Sequence, residues 1–86
     1  MNEKVVVMFR LKNEERWIKH SIESIYDFCD EIVVFDDNSV DNTKQICEQF
    51  DKVVDIHTKT DSTFDEARDR NFLLNMALKR KPDVLL

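Results

Sequence analysis

Eighty-six residues make one small domain at most, and a chain of that size buries only roughly 60–65% of the surface its unfolded form exposes. The composition is that of a globular chain, 42% hydrophobic and 36% charged, and the net charge of −5 argues against nucleic acid or an anionic membrane as partner. There is no glycine, which excludes phosphate cradles built on Gly-rich loops, and no stretch approaches the roughly 20 apolar residues of a membrane span.

Lys4 to Phe9 is a nearly continuous apolar, β-branched run, the pattern of a strand buried on both faces. Asn13 is placed as an N-cap, with Glu14 and Glu15 in the first turn, where the helix dipole favours them. Ile18, Ile22, Ile25 and Cys29 then recur at helical spacing and predict an amphipathic helix of about four turns. Trp17, Phe28 and, further on, Phe72 read as packing residues.

Glu31 to Phe35 predicts a second strand, followed at once by Asp36 and Asp37. An apolar strand ending in two carboxylates delivers charge to the edge where open α/β sheets bind ligands. Ser39 or Asp41 is placed to cap a short helix with Ile46, Cys47 and Phe50 inward, and Lys52 to Ile56 predicts a third strand.

Thr58 to Thr63 is a polar loop. Thr63-Phe-Asp-Glu66 matches a capping box, and the helix it opens is expected to bury Phe64, Ala67, Leu73, Leu74, Ala77 and Leu78. Lys79, Arg80 and Lys81 suit its C-terminal dipole, Pro82 stops it, and Asp83 to Leu86 opens a fourth strand.

Strands alternating with helices imply a mainly parallel sheet in an α/β, three-layer α/β/α Rossmann-like arrangement. The sequence stops within an apolar strand, so an N-terminal portion of a longer domain is expected over residues 1–86. Cys29 and Cys47 lie in apolar-periodic stretches without metal-ligand spacing and read as buried free thiols, which points to a cytoplasmic setting. His20 and His57 have no ligand-like neighbours in sequence and read as surface or edge residues.

Three segments resemble the family-two glycosyltransferases, which have the GT-A fold. Val5 to Glu15 resembles the family's first strand and its "K-N-E-E" turn. Asp30 to Thr43 resembles its "D-E-I-V-V-x-D-x-x-S-x-D-N-T" segment, with Asn38 where glycine is usual. Phe64 to Phe72 resembles its "F-x-x-A-R-N" helix start. The order and spacing agree over nearly the whole chain.

The resemblance implies transfer of a sugar from a nucleotide-diphosphate sugar to an acceptor hydroxyl, with inversion and with a divalent cation, Mn²⁺ or Mg²⁺, in the full-length enzyme. The family's Asp-x-Asp metal motif and its catalytic base would fall beyond Leu86, so this chain by itself is expected to bind no metal and to be inactive. The nucleotide-sugar-binding residues implied are Arg10, Lys12, Glu14, Asp36, Asp37 and Arg70, with Asp37 the match for the family's base contact. Each has a competing structural role: turn formation or capping for Asp36 and Asp37, dipole complementation for Glu14, a Glu66 ion pair for Arg70, simple solvation for Arg10 and Lys12. The rival function is a non-catalytic binding or assembly module, a homo-oligomer formed through an exposed sheet edge.

Overall fold

The computed structural model describes residues 3–61 and 63–86. Strand β1 spans Val5–Leu11, helix α1 Ile18–Ile25, strand β2 Glu31–Asp36, helix α2 Thr43–Cys47, strand β3 Val53–Thr58, helix α3 Glu66–Leu78 and strand β4 Val84–Leu85. A single 3₁₀ turn, Tyr26–Phe28, extends α1. The four strands form one all-parallel sheet in the order β3-β2-β1-β4. The fold is the α/β, Rossmann-like arrangement expected, with helices on both faces.

The alternation of side chains along a strand explains the two cores. On one face Val7 and Leu11 of β1 and Ile32 and Val34 of β2 pack against Ile18 and Ile22 of α1, Cys29 and Cys47. On the other, Val6, Val33 and Phe35 pack against Leu73, Met76 and Ala77 of α3. Ile22, Ile32 and Val34 are fully buried; removing a side chain of that size from water contributes about 1.5–3 kcal/mol.

The chain steps outward from β1 to β2 to β3 with α1 and α2 on one face. It then returns under α3 to place β4 beside β1. The strand order therefore reverses between β1 and β4, and the crevice at the carboxyl ends beside that reversal is where open α/β sheets take ligands.

Several local expectations are corrected. Asn13 is no N-cap: it takes a left-handed φ of 53°, and α1 begins only at Ile18, with no side-chain cap. Thr63 does not open a capping box; the N-cap of α3 is Asp65, whose carboxylate accepts from the Arg68 amide at 3.0 Å. The buried stripe of α3 is Asp69, Leu73, Met76 and Ala77, a run at helical spacing that begins with a carboxylate. Phe64, Ala67, Leu74 and Leu78 are exposed instead, as are Trp17 and Phe28. His57 lies on the edge strand β3, as expected, half-buried with its ring centre 4.1 Å from that of Phe72.

Without glycine, the left-handed positions fall to Asn13, Asn38 and Lys81. Asn tolerates that backbone region better than most residues, which is why Asn38 can serve the turn after β2. Both cysteines are buried and free. Among the described residues no helix is long and apolar enough to cross a membrane.

Candidate functional site

Asp36 and Asp37 are adjacent, so the pleat sends them to opposite faces of the sheet. Asp36 is buried on the side of α1 and α2. Its Oδ1 accepts from the Ser39 amide and hydroxyl and closes the turn that leads into α2. Asp37 emerges on the side of α3, beside Arg10 of β1.

Two of the motif segments are laced together here. The Asn13 amide donates to the Ser39 hydroxyl at 2.9 Å, and Asn13 Oδ1 accepts from the Val40 amide at 2.8 Å. The Glu14 amide donates to Thr43 Oγ1 at 2.8 Å. The Glu15 amide donates to Asp41, and Glu15 accepts from the Asn42 amide. These bonds satisfy backbone N–H groups of the two loops and fix the loop after β1 against the loop after β2. Burial alone would raise the Asp41 carboxyl, but hydrogen bonds from the Thr43 hydroxyl and amide and from the Glu15 amide bring it below its ordinary value.

The α3 side of the same edge carries a cluster of charges. Lys59, directly after β3, is buried to 6% exposure, and its ammonium donates to Asp69 Oδ2 at 2.8 Å and to the Thr63 carbonyl. Arg10 Nη2 lies 3.5 Å from Asp37 Oδ2 and 3.6 Å from Asp69 Oδ2. Lys59 Nζ lies 3.8 Å from Asp37 Oδ1 and 3.9 Å from Asp61. Arg68 reaches Asp69 at 3.5 Å and Asp61 at 3.8 Å. The Lys59 hydrogen bond, with the charges of Lys59, Arg68 and Arg10, holds the Asp69 carboxyl below the usual carboxylate range.

Asp37 differs from its neighbours in one respect. Each of its oxygens faces a cation, yet at 3.5 and 3.8 Å neither contact is a good hydrogen bond. Among the described residues no group donates a hydrogen bond to its carboxylate. It is charge-compensated, four-fifths buried and unused as an acceptor. Two hollows border it: one of about 470 Å³ touched by Arg10, Lys12, Glu14 and Phe64, and a smaller one of about 110 Å³ touched by Lys12, Lys59 and Phe64.

The chain matches the family model described as Glycosyl transferase family 2 over residues 6–77. It belongs to that family. No curated protein and no solved structure gives a significant match.

Of the residues the resemblance singled out in this glycosyltransferase-family chain, Arg10, Lys12, Glu14 and Asp37 line one hollow. Asp36 lies behind the turn on the other face and is occupied by Ser39. Arg70 is exposed on α3 and pairs with Glu66 one turn earlier, at 3.0 Å. It is Arg68, two residues before, that turns toward the edge, with Lys59 and Asp69, in a cleft of about 320 Å³ between β3 and α3. Sequence reasoning missed Lys59 and Asp69. The one available signal was their type: a lysine closing a strand and an aspartate in phase with Leu73 and Met76.

The chemistry this edge can do is recognition. A carboxylate with free lone pairs accepts N–H or O–H groups, and Arg10 and Lys12 offer positive charge beside it. A metal site is another matter. Among the described residues no group of three or more His, Cys, Asp or Glu side chains is placed to hold a metal ion, and Asp61 and Asp69 are each committed to cationic side chains.

Proposed function

We propose that this family-2 chain binds the nucleotide part of a nucleotide-diphosphate sugar at the carboxyl edge of its sheet, as the donor-binding part of a transfer to an acceptor hydroxyl. The observation that carries the reading is Asp37, set between Arg10 and Lys59 at the end of β2, with no hydrogen-bond donor to its carboxylate among the described residues. Its place at the carboxyl end of β2, next to β1, on the edge where open α/β sheets take ligands, supports the same reading.

In this reading Asp37 accepts from the base or ribose. Arg10 and Lys12, on the rim of the larger hollow, face the diphosphate, and Glu14 closes that rim. A divalent cation, Mn²⁺ or Mg²⁺, belongs to the proposal for the full-length enzyme, as the diphosphate's companion. The two buried free thiols favour a reducing, cytoplasmic setting.

Thermal melting against a panel of nucleoside diphosphates, with and without Mn²⁺, tests the assignment. A ligand at one hundred times its Kd stabilises by about 2.7 kcal/mol, a readily visible rise in Tm for a chain this small. Asp37→Ala is expected to abolish the rise. A flat Tm with every nucleotide would remove the donor site.

A further inference from the structure

β3 is an outer strand of the sheet, and among the described residues nothing pairs with its far side. The Lys59 amide donates to the Asp36 carbonyl at 2.8 Å, which sets the phase of the ladder to β2. Alternate residues of a strand turn their backbone groups to opposite sides. Asp55 and His57 therefore bond to β2, while Ile56 and Thr58 present N–H and C=O outward. An open flank of this kind is a template for another strand unless lysine, proline or a bulge blunts it. From Asp55 to Thr58 there is neither lysine nor proline, and the register irregularity of β3 lies before Asp55.

The side chains say which strand fits. Asp55 and His57 lie beside Val33 and Phe35 of β2, so both belong to the α3 face. Asp55 is exposed and His57 half-buried. Two copies of β3 related by a twofold axis run antiparallel. With Ile56 on that axis, Ile56 exchanges both backbone hydrogen bonds with Ile56 of the second copy. The flanking pairs are the non-hydrogen-bonded kind, in which side chains come closest, and each sets Asp55 against His57 of the other copy. An imidazole N–H can donate to a carboxylate whether or not the ring is protonated. Moving the axis one residue sets Asp55 against Asp55, or His57 against His57. Like charges directly opposite destabilise, so the complementary register is favoured.

We propose that β3 is the contact of a homodimer: two copies join through Asp55–Thr58 into one continuous sheet, in the register that opposes Asp55 to His57. The charge of Asp55 also reaches Arg80, but Glu31 already holds that guanidinium. Phe72, in ring contact with His57, and Leu78 further along α3 are exposed and border a hollow of about 500 Å³. Apolar surface is thus available beside the strand. Stable interfaces bury about 800 Å² per partner, more than a four-residue ladder supplies, so the association is expected to be micromolar. In this arrangement the carboxyl edges of the two sheets point in opposite directions, and both candidate donor sites stay open.

Sedimentation equilibrium of the 86-residue chain over a concentration series tests the dimer. Salt of about 0.15 M screens the net charge of −5 on each copy. A monomer–dimer equilibrium is expected. Asp55 is exposed, so Asp55→Lys is expected to fold normally and to weaken dimerisation by roughly tenfold or more. His57→Asp, which opposes carboxylate to carboxylate, is expected to do the same. Mixed together, the two variants regain complementary pairs: the introduced lysine meets the introduced aspartate, and His57 meets Asp55. The mixture is therefore expected to form a heterodimer at least as tight as the unaltered homodimer. His57 touches Phe35 and Phe72. If its variant does not melt cooperatively, amide hydrogen exchange replaces the mixing. Exchange at Ile56 is then expected to slow with rising concentration in the unaltered chain and not in Asp55→Lys.

A chain that stays monomeric to about millimolar concentration overturns the proposal. So does a dimer that Asp55→Lys leaves intact, with an Ile56 amide that exchanges equally fast at every concentration; the contact then lies on β4 or on the α3 flank. Two folded variants that stay apart when mixed overturn the pairing of Asp55 with His57. None of these outcomes bears on the nucleotide reading, which stands on Asp37.

Discussion

Lys59 and Asp69 form a buried ion pair, 2.8 Å from ammonium to carboxylate, that ties the loop after β3 to the first turns of α3. Their side chains are 6% and 3% exposed. Removing one charge of such a pair strands the other in a poor solvent, whereas removing both does not. Lys59→Met is therefore expected to lower Tm more than Lys59→Met/Asp69→Asn does, although Arg10 and Arg68 soften the loss by remaining near Asp69. Calorimetric melts of the two variants decide it. Equal melting temperatures would mean that the stranded Asp69 carboxylate costs nothing.

The sheet was legible because burial on both faces leaves an unmistakable apolar run, and β1 and β2 are such runs. The doubled aspartate was legible as an edge feature, but its division of labour follows from the pleat: Asp36 turns to α2 and Asp37 to α3. The face of α3 was misjudged because hydrophobic periodicity leaves out a charged residue, and Asp69 is buried through its cation partners. The same blindness hid Lys59 within a polar loop. Asn13 shows a further limit. Its preference for a cap and its tolerance of left-handed backbone are equally good local readings, and only the contact with Ser39 and Val40, 26 and 27 residues away, chooses between them.

At the opposite edge, Arg80 clasps both oxygens of Glu31, at 3.1 and 2.6 Å, and Lys4 adds a contact at 2.8 Å. The Arg80 hydrogen bonds, joined by Lys4, bring the Glu31 carboxyl down to about 2 against the burial that opposes them. A carboxyl depressed in the folded state gives stability that is present above its unfolded value near 4.5 and is lost as pH falls toward 2. Both cations are more than a third exposed, so solvent screening limits the effect to about 1 kcal/mol. Glu31→Gln is expected to lower stability at pH 7 by that amount and to flatten the loss between pH 4.5 and 2. Denaturant titrations across that window check it; parallel pH curves for the two proteins would contradict it.

Thr58 ends β3 with its hydroxyl buried, the one buried side-chain oxygen or nitrogen without a partner among the described residues. A buried hydroxyl without a hydrogen bond costs about 1–3 kcal/mol of lost solvation. Valine has nearly the same shape, keeps the β-branch that suits a strand and carries no hydroxyl. Thr58→Val is expected to stabilise the chain by about 1 kcal/mol, raising the urea midpoint with no change in slope. A lower midpoint would show that the hydroxyl has a solvent or ligand partner in solution. Repeating the titration with a nucleoside diphosphate tells those two apart.

The two thiols provide a clock for opening of the core. Burial, aided by the charge of Asp36, pushes the Cys47 thiol up to about 11, and Cys47 is fully shielded. Burial also raises Cys29, where Lys52 opposes the shift and Asp30 adds to it. Thiolate, not thiol, is the nucleophile. In the folded chain at pH 8 both cysteines are therefore expected to resist iodoacetamide, and Cys47 to resist it longer, since it sits between α2 and the sheet whereas Cys29 lies at the mouth of β2. Labelling should then proceed only through opened states, at a rate set by the local opening equilibrium. If a nucleoside diphosphate orders the loops after β1 and β2, which are laced to α2 through Thr43, it should slow labelling of Cys47 more than that of Cys29. Mass spectrometry of quenched time points measures both rates, and equal slowing of the two would show that the ligand acts on global unfolding and not on that laced edge.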